Sequence, residues 1–248
     1  MRNLKRALSL ALAAIMLIGM MVVSACAVSY NDLTDKDQIV NKDAVSMLVS
    51  LGIIEGKPDG SYGPTENVDR AQMAKMLSVI MNKGVDNSAL YQSVNSGLVD
   101  VNTNWAKGHI NYCYTTGIIA GRGNGKFDPS ATVTALEAAK MLVAVGYDPA
   151  IEGFEGADWA INVSVRADEQ GIFEGFTKDL SAPLNRDDAA LLIYNALDVE
   201  MIQSYTTNNY PIAYSDHRTI LADKYGVIKV EGVVTANEWA ILDDDTDT

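Results

Sequence analysis

Between residues 39 and 84 the apolar positions fall into two helical stripes divided by a glycine-rich gap. In IVNKDAVSMLVSLG, Val40, Ala44, Met47, Leu48 and Leu51 recur at steps of three and four, the spacing that places side chains on one face of an α-helix. Gly52 stands where a left-handed C-terminal cap belongs. KPDG then reads as a turn, with Pro58 pre-setting its backbone angle and Gly60 free to take positive φ. The helical spacing resumes in VDRAQMAKMLSVIMNK through Met73, Leu77, Ile80 and Met81. Asp69 with Gln72 three residues later forms a capping box, and Val68 and Met73 are placed as its hydrophobic staple.

The phrase is written more than once. GIIEGKPDGSYGP at 52–64 returns as GIIAGRGNGKFDP at 117–129, sixty-five positions later, with three glycines and the closing proline in step. The match runs without a gap from 51–77 to 116–142, and Thr134 with Glu137 repeats the capping box. A worn third copy begins at GIFEGFTKDLSAPLNRDDAALLI, where Gly171, Gly175 and Pro183 keep the spacing before a three-residue deletion and Asn185 and Asp188 take the cap positions. Trp105 and Trp159 each stand twelve residues before their copy's first glycine, where the first copy has Val40. The expectation is a mainly α chain of three helix-loop-helix units at 28–84, 97–150 and 154–203, each too small to be stable alone. After residue 204 the helical period fades, and YGVIKVEGVVTANEWAIL suggests a hairpin in a short β-containing extension over 204–248, either a cap on the array or the start of a further domain.

Composition narrows the partners. A formal net charge of −13 repels phosphate backbones and anionic headgroups, so nucleic acid and membrane surfaces are poor partners. Arg2, Lys5 and Arg6 precede the run ALSLALAAIMLIGMMVV, which gives way to SACAVS, the pattern of an export signal over 1–27. Two cleavage readings fit: Ala25-Cys26-Ala27 suits simple removal after Ala27, the preferred reading, and VSAC resembles a lipobox that would leave Cys26 lipidated. With the leader removed, Cys113 is left without a disulfide partner and is expected to be a buried thiol. His109 and His217 sit in no nucleophile or metal motif, and the repeated glycines follow a helix, unlike a dinucleotide fingerprint or phosphate loop. No enzyme activity, cofactor or metal site is expected, and the terminal DDDTDT reads as a solvated tail.

Capping leaves one position unexplained. Arg70 and Arg186 occupy the first helical residue, where a cation opposes the helix dipole. Two readings stay open there: an anion shared by the arginine and the free backbone N–H groups, or an ion pair with a nearby acid.

The combination of Trp-Ala, Gly-Ile-Ile-x-Gly, a turn with Asp-Gly, an aromatic and Pro, then Val-(Thr/Asp)-Arg-Ala-(Glu/Gln) resembles the S-layer homology (SLH) domain of bacterial envelope proteins over about residues 30–203. The resemblance implies a pseudo-threefold assembly whose inter-unit grooves bind a secondary cell-wall polysaccharide, often through a pyruvate ketal. It also implies a protein held at the cell wall or S-layer, with other S-layer copies as further partners. The alternative is a structural component or envelope lipoprotein whose repeats no longer bind sugar. Carried over by position, the binding residues would be Arg70, Arg186, Trp105, Trp159, Asp59 and Gly60. The second copy departs with Ala135, which implies a weak or dead groove there. At Trp105 and Trp159 an indole can stack on a sugar or fill core, and the core reading is preferred; at Asp59 and Gly60 the preferred role is turn geometry.

Overall fold

The computed structural model describes residues 29–229; the expected leader, including Cys26, lies outside them, as does most of the run expected to form a hairpin. Among the described residues there are seven α-helices: α1 Lys42–Ser50, α2 Arg70–Met81, α3 Lys107–Thr115, α4 Ala135–Val143, α5 Trp159–Glu169, α6 Arg186–Ala196 and α7 Ile220–Tyr225. One antiparallel pair, β1 Ile202–Tyr205 and β2 Pro211–Ala213, and three short 3-10 helices, Tyr30–Asp32, Lys36–Gln38 and Ser88–Tyr91, complete the regular structure there.

The caps are where the sequence places them. The Asp69 side chain accepts from the Gln72 N–H while the Gln72 side chain accepts from the Asp69 N–H, and Thr134 and Glu137 repeat the exchange at α4. At α6 only half survives: Asn185 accepts from the Asp188 N–H, but the Asp188 carboxylate is held by Lys178. Gly52 takes φ +70° just past α1, and Val68 and Met73 are buried together beneath the start of α2.

One part of the predicted stripe fails. The buried face of α1 is Ala44, Val45, Leu48 and Val49, while Val40 precedes the helix and is 81% exposed. The backbone N–H groups of Val40 and Asn41 donate to the Asp187 carboxylate and the Lys42 N–H turns back to the Val40 carbonyl, so the chain is held in a tight bend there and the helix begins only at Lys42.

Helices pair across the repeated phrases. The helix after each glycine loop packs on the helix before the next one: α2 on α3, α4 on α5, and α6 back on α1. At the centre, the Val68 N–H donates to the Leu184 carbonyl, Leu184 to Val133 and Val133 to Val68, each at 2.9 Å, closing a ring of three hydrogen bonds between buried residues. This ring sets the register of the third phrase. Ala71 donates to the Pro129 carbonyl, Asp187 to Pro64 and Leu136 to Leu180, so Leu180, not Pro183, holds the place of the two prolines. The three-residue deletion therefore falls earlier than expected, between Gly175 and Leu180, where a surface turn can shorten without disturbing the ring.

The C-terminal strands also differ from expectation. They lie at 202–213, upstream of the apolar run, and residues 226–229 of that run form no strand. A segment of three or four residues gives too short an alternation to register, and Thr219 and Gly226 instead cap α7, with Gly226 at φ +66°. Ile220 and Leu221 donate to the carbonyls of Val199 and Leu197, tying this segment to the end of α6. Cys113 is buried as expected, and burial pushes its thiol well above the usual range.

Candidate functional site

Three grooves open where the loop of one phrase meets its neighbours. The first is lined by the 53–58 loop, Lys75 and Met76 of α2, Arg186 at the start of α6, and Trp105 ahead of α3. The second is lined by Ala120–Arg122, Glu137 and Lys140 of α4, Arg70 at the start of α2, and Trp159 at the start of α5. In both, loop and second helix come from one phrase, the arginine from a second and the tryptophan from a third. The third groove follows the same plan with Lys178 and Leu191, but Val40 stands at the tryptophan's place, and Ala135, at the arginine position, is not among its lining residues. The cavity volumes are about 260, 250 and 320 Å³, at the lower edge of small-molecule sites.

The arginines hold the groove walls. Arg70 Nε donates to the Phe127 carbonyl at 2.7 Å and Nη2 to Ala120 at 2.9 Å, with the guanidinium 4.3 Å above the Phe127 ring. Arg186 repeats this with the Tyr62 carbonyl at 2.8 Å, Glu55 at 3.2 Å and the Tyr62 ring at 4.7 Å, and the Tyr62 hydroxyl donates back to the Arg186 carbonyl. Among the described residues neither guanidinium has a carboxylate within ion-pair distance, so the reading of these arginines as partners of a nearby acid fails. Arg70 is only 5% exposed, and burial, with Arg122 as a second cause, lowers its pKa to about 10, still protonated at neutral pH. A buried cation whose nearest partners are neutral carbonyls favours an anion in the remaining space.

The tryptophans sit at the rims. Trp105 is 58% exposed, against the core expectation, because α3 begins only at Lys107 and leaves the indole on the turn ahead of it. Trp159 is half-buried, with the Lys140 ammonium 5.2 Å above its ring. Trp105 thus meets Arg186 in one groove and Trp159 meets Arg70 in the other. Asp59 and Gly60 do not join them. The Asp59 carboxylate accepts from the N–H and hydroxyl of its own turn's Ser61, and Gly60 at φ +82° gives its carbonyl to the Thr34 N–H.

Two residues that sequence reasoning missed shape both arginine grooves from behind. Asp35 accepts from the N–H groups of Tyr62 and Gly63 at 2.7 and 2.8 Å, and Asp100 accepts from Phe127 and Asp128 at 3.0 and 2.8 Å. Burial pushes these carboxyls up, but the backbone donors outweigh it and hold both below the usual range. The signal was available: the two aspartates repeat at the same spacing as the glycine phrase.

One serine, histidine and aspartate do converge. His109 Nδ1 lies 2.5 Å from Ser78 Oγ and its Nε2 3.6 Å from Asp86. Ser78 and His109 are buried, and the serine hydroxyl lies within hydrogen-bond distance of both the Lys75 carbonyl and the ring, which ties α2 to α3.

Compared with known families, the chain matches the S-layer homology domain over residues 29–74 and 99–139. A cell surface protein of Thermoanaerobacter kivui is 29% identical over 247 residues, covering 98% of this chain and 29% of that protein. An S-layer protein of Bacillus licheniformis is 35% identical over 102 residues, covering 41% of this chain and 11% of its own length. An exoglucanase of Acetivibrio thermocellus is 29% identical over 188 residues, covering 69% of this chain and 16% of its own. The chain spans less than a third of the length of each of these relatives.

Proposed function

We propose that the chain is an exported, non-enzymatic anchor that holds its protein to the bacterial cell wall by binding an anionic, pyruvylated secondary cell-wall polysaccharide in the grooves around Arg70 and Arg186. The reading includes three SLH units in a pseudo-threefold assembly, supported by the hydrogen-bond ring of Val68, Leu184 and Val133 and by the cyclic pairing of helices. The observation that carries it is the double occurrence of one site: an arginine without a carboxylate partner among the described residues, sharing a groove with a tryptophan from another unit. The tryptophan offers a face for a sugar ring and the guanidinium a partner for its acid group. No catalytic role is assigned to Ser78, His109 and Asp86, because the only nucleophile among them is buried and committed to a backbone carbonyl. A second reading, a structural part whose repeats no longer bind sugar, draws on the third groove, where Ala135 and Val40 replace arginine and tryptophan.

Co-sedimentation of residues 28–248 with purified cell walls, before and after chemical removal of the wall polysaccharide, tests the choice. The expected result is binding that is lost on stripping and weakened severalfold by Trp105→Ala, a substitution at an exposed side chain that leaves the core alone. Binding that persists on stripped walls, or that ignores both Trp105→Ala and Arg186→Ala in folded variants, would overturn the polysaccharide reading.

A further inference from the structure

The two arginine grooves are built alike but charged differently. In the first, Lys75 pairs with Glu55 at 3.0 Å and Lys57 pairs with Glu66, so Arg186 is the one cation left over. In the second, the place of Glu55 is taken by Ala120, and Lys140, which stands where Lys75 does, has no carboxylate within ion-pair distance among the described residues. Glu137 does not supply one. Its carboxylate accepts from Arg122 at 2.8 Å and from the Thr134 N–H, which uses both oxygens. Glu155 lies close enough to act on Lys140, yet burial dominates and pushes the ammonium's pKa down. Among the described residues the second groove therefore holds two cations without a carboxylate at ion-pair distance, Arg70 and Lys140, and the first holds one, beside the apolar surface of Ile53, Pro58 and Met76.

Resting on the anchor reading above, and narrowing its singly charged pyruvylated sugar to the groove of Arg186, we infer that the two grooves differ in ligand charge: the groove of Arg70 and Lys140 takes a sugar bearing two negative charges, as a phosphate monoester does. Two desolvated cations side by side repel each other, and an anion of charge two relieves both, whereas one carboxylate leaves a surplus. An apolar wall adds nothing for a bare phosphate but contributes through burial of a methyl or acetyl group.

The test titrates residues 28–248 with glucose 6-phosphate and with glucuronic acid, following the amide resonances of Gly56 and Gly121, which line the first and second grooves separately. The expected result is that glucose 6-phosphate shifts Gly121 with an affinity about tenfold above that of glucuronic acid, a preference that fades as pH falls through about 6 and the phosphate takes up its second proton. Ala120→Glu, which gives Lys140 the acid that Lys75 has, is expected to remove most of that preference without unfolding the protein, because the added side chain copies the first groove. Equal affinities of the two probes at Gly121, or a preference untouched by both Ala120→Glu and Lys140→Gln, would overturn the inference. Wall binding by a protein without the preference would sink the charge assignment and leave the anchor standing; the preference in a protein that ignores walls would do the reverse.

Discussion

Asp35 and Asp100 each spend a carboxylate on two consecutive backbone N–H groups, at the stretch that also presents an aromatic ring to an arginine. Removing either acid leaves two backbone donors without their charged acceptor, a loss of about 1.5–3 kcal/mol for hydrogen bonds of this kind. Asp35→Ala and Asp100→Ala are expected to lower the free energy of unfolding in urea by that amount, with a lower midpoint, and an unchanged midpoint would show that water substitutes freely. Because both carboxyls are held low, their contribution is present above the ordinary carboxylate range, near 3.8, and is lost as pH falls through the folded values. His109 acts in a different window. Burial lowers its pKa, against the raising effect of Asp86, so the fold holds a neutral ring and the unfolded chain binds the proton more readily. Its contribution is intact above about pH 6.5 and declines as pH drops from there through the folded pKa. Thermal midpoints are expected to fall below pH 6.5 in the natural chain and to run flat over that first step in His109→Gln; identical slopes would exclude the histidine. Arg70 and Arg186 were legible in sequence because a cation at a helix start contradicts the dipole. Asp35 and Asp100 contradict nothing locally and so passed as two acids among 32.

Elements were legible where a backbone rule forces a residue type. Gly52 and Gly117 both take positive φ, at +70° and +79°, which costs an L side chain about 1–2 kcal/mol. The two differ in what surrounds them: a Cβ at Gly52 would sit 3.1 Å from the Gly84 carbonyl oxygen, and one at Gly117 would meet nothing within 4 Å. Gly52→Ala is therefore expected to destabilise more than Gly117→Ala in chemical denaturation, and equal losses would mean the loop at Gly84 gives way. The capping boxes obey a similar local grammar, so Thr134→Ala should cost about 1 kcal/mol in the same measurement. What sequence misplaced lacks such a rule. Val40 satisfies helical spacing yet is held out of α1 by Asp187, a residue far along the chain, and Pro183 matches Pro64 by counting although the hydrogen-bond register gives that place to Leu180. Tertiary partners decide both, and periodicity cannot see them.

At the scale of the molecule the question is whether the proposed units fold alone or only as a closed set. Each helix that follows a glycine loop finds its partner in the next phrase, and the last, α6, returns to α1, where Asp187 also holds the Val40 and Asn41 N–H groups. A fragment of residues 29–150 keeps the α2–α3 pairing but strips α1 of α6 and α4 of α5. It also opens the ring at Leu184, leaving the Val68 N–H without its acceptor and the Val133 carbonyl without its donor. Apolar faces of both helices would then meet water, and hydrophobic burial is the largest favourable contribution such a small unit has. The expected outcome is a fragment with helical far-ultraviolet circular dichroism but no cooperative thermal transition, against a single sharp transition for residues 28–248. A fragment that melts cooperatively near the temperature of the longer chain would mean the phrases are independent domains. Grooves assembled from three of them would then have to form by docking, and ligand binding, not folding, would have to hold them together.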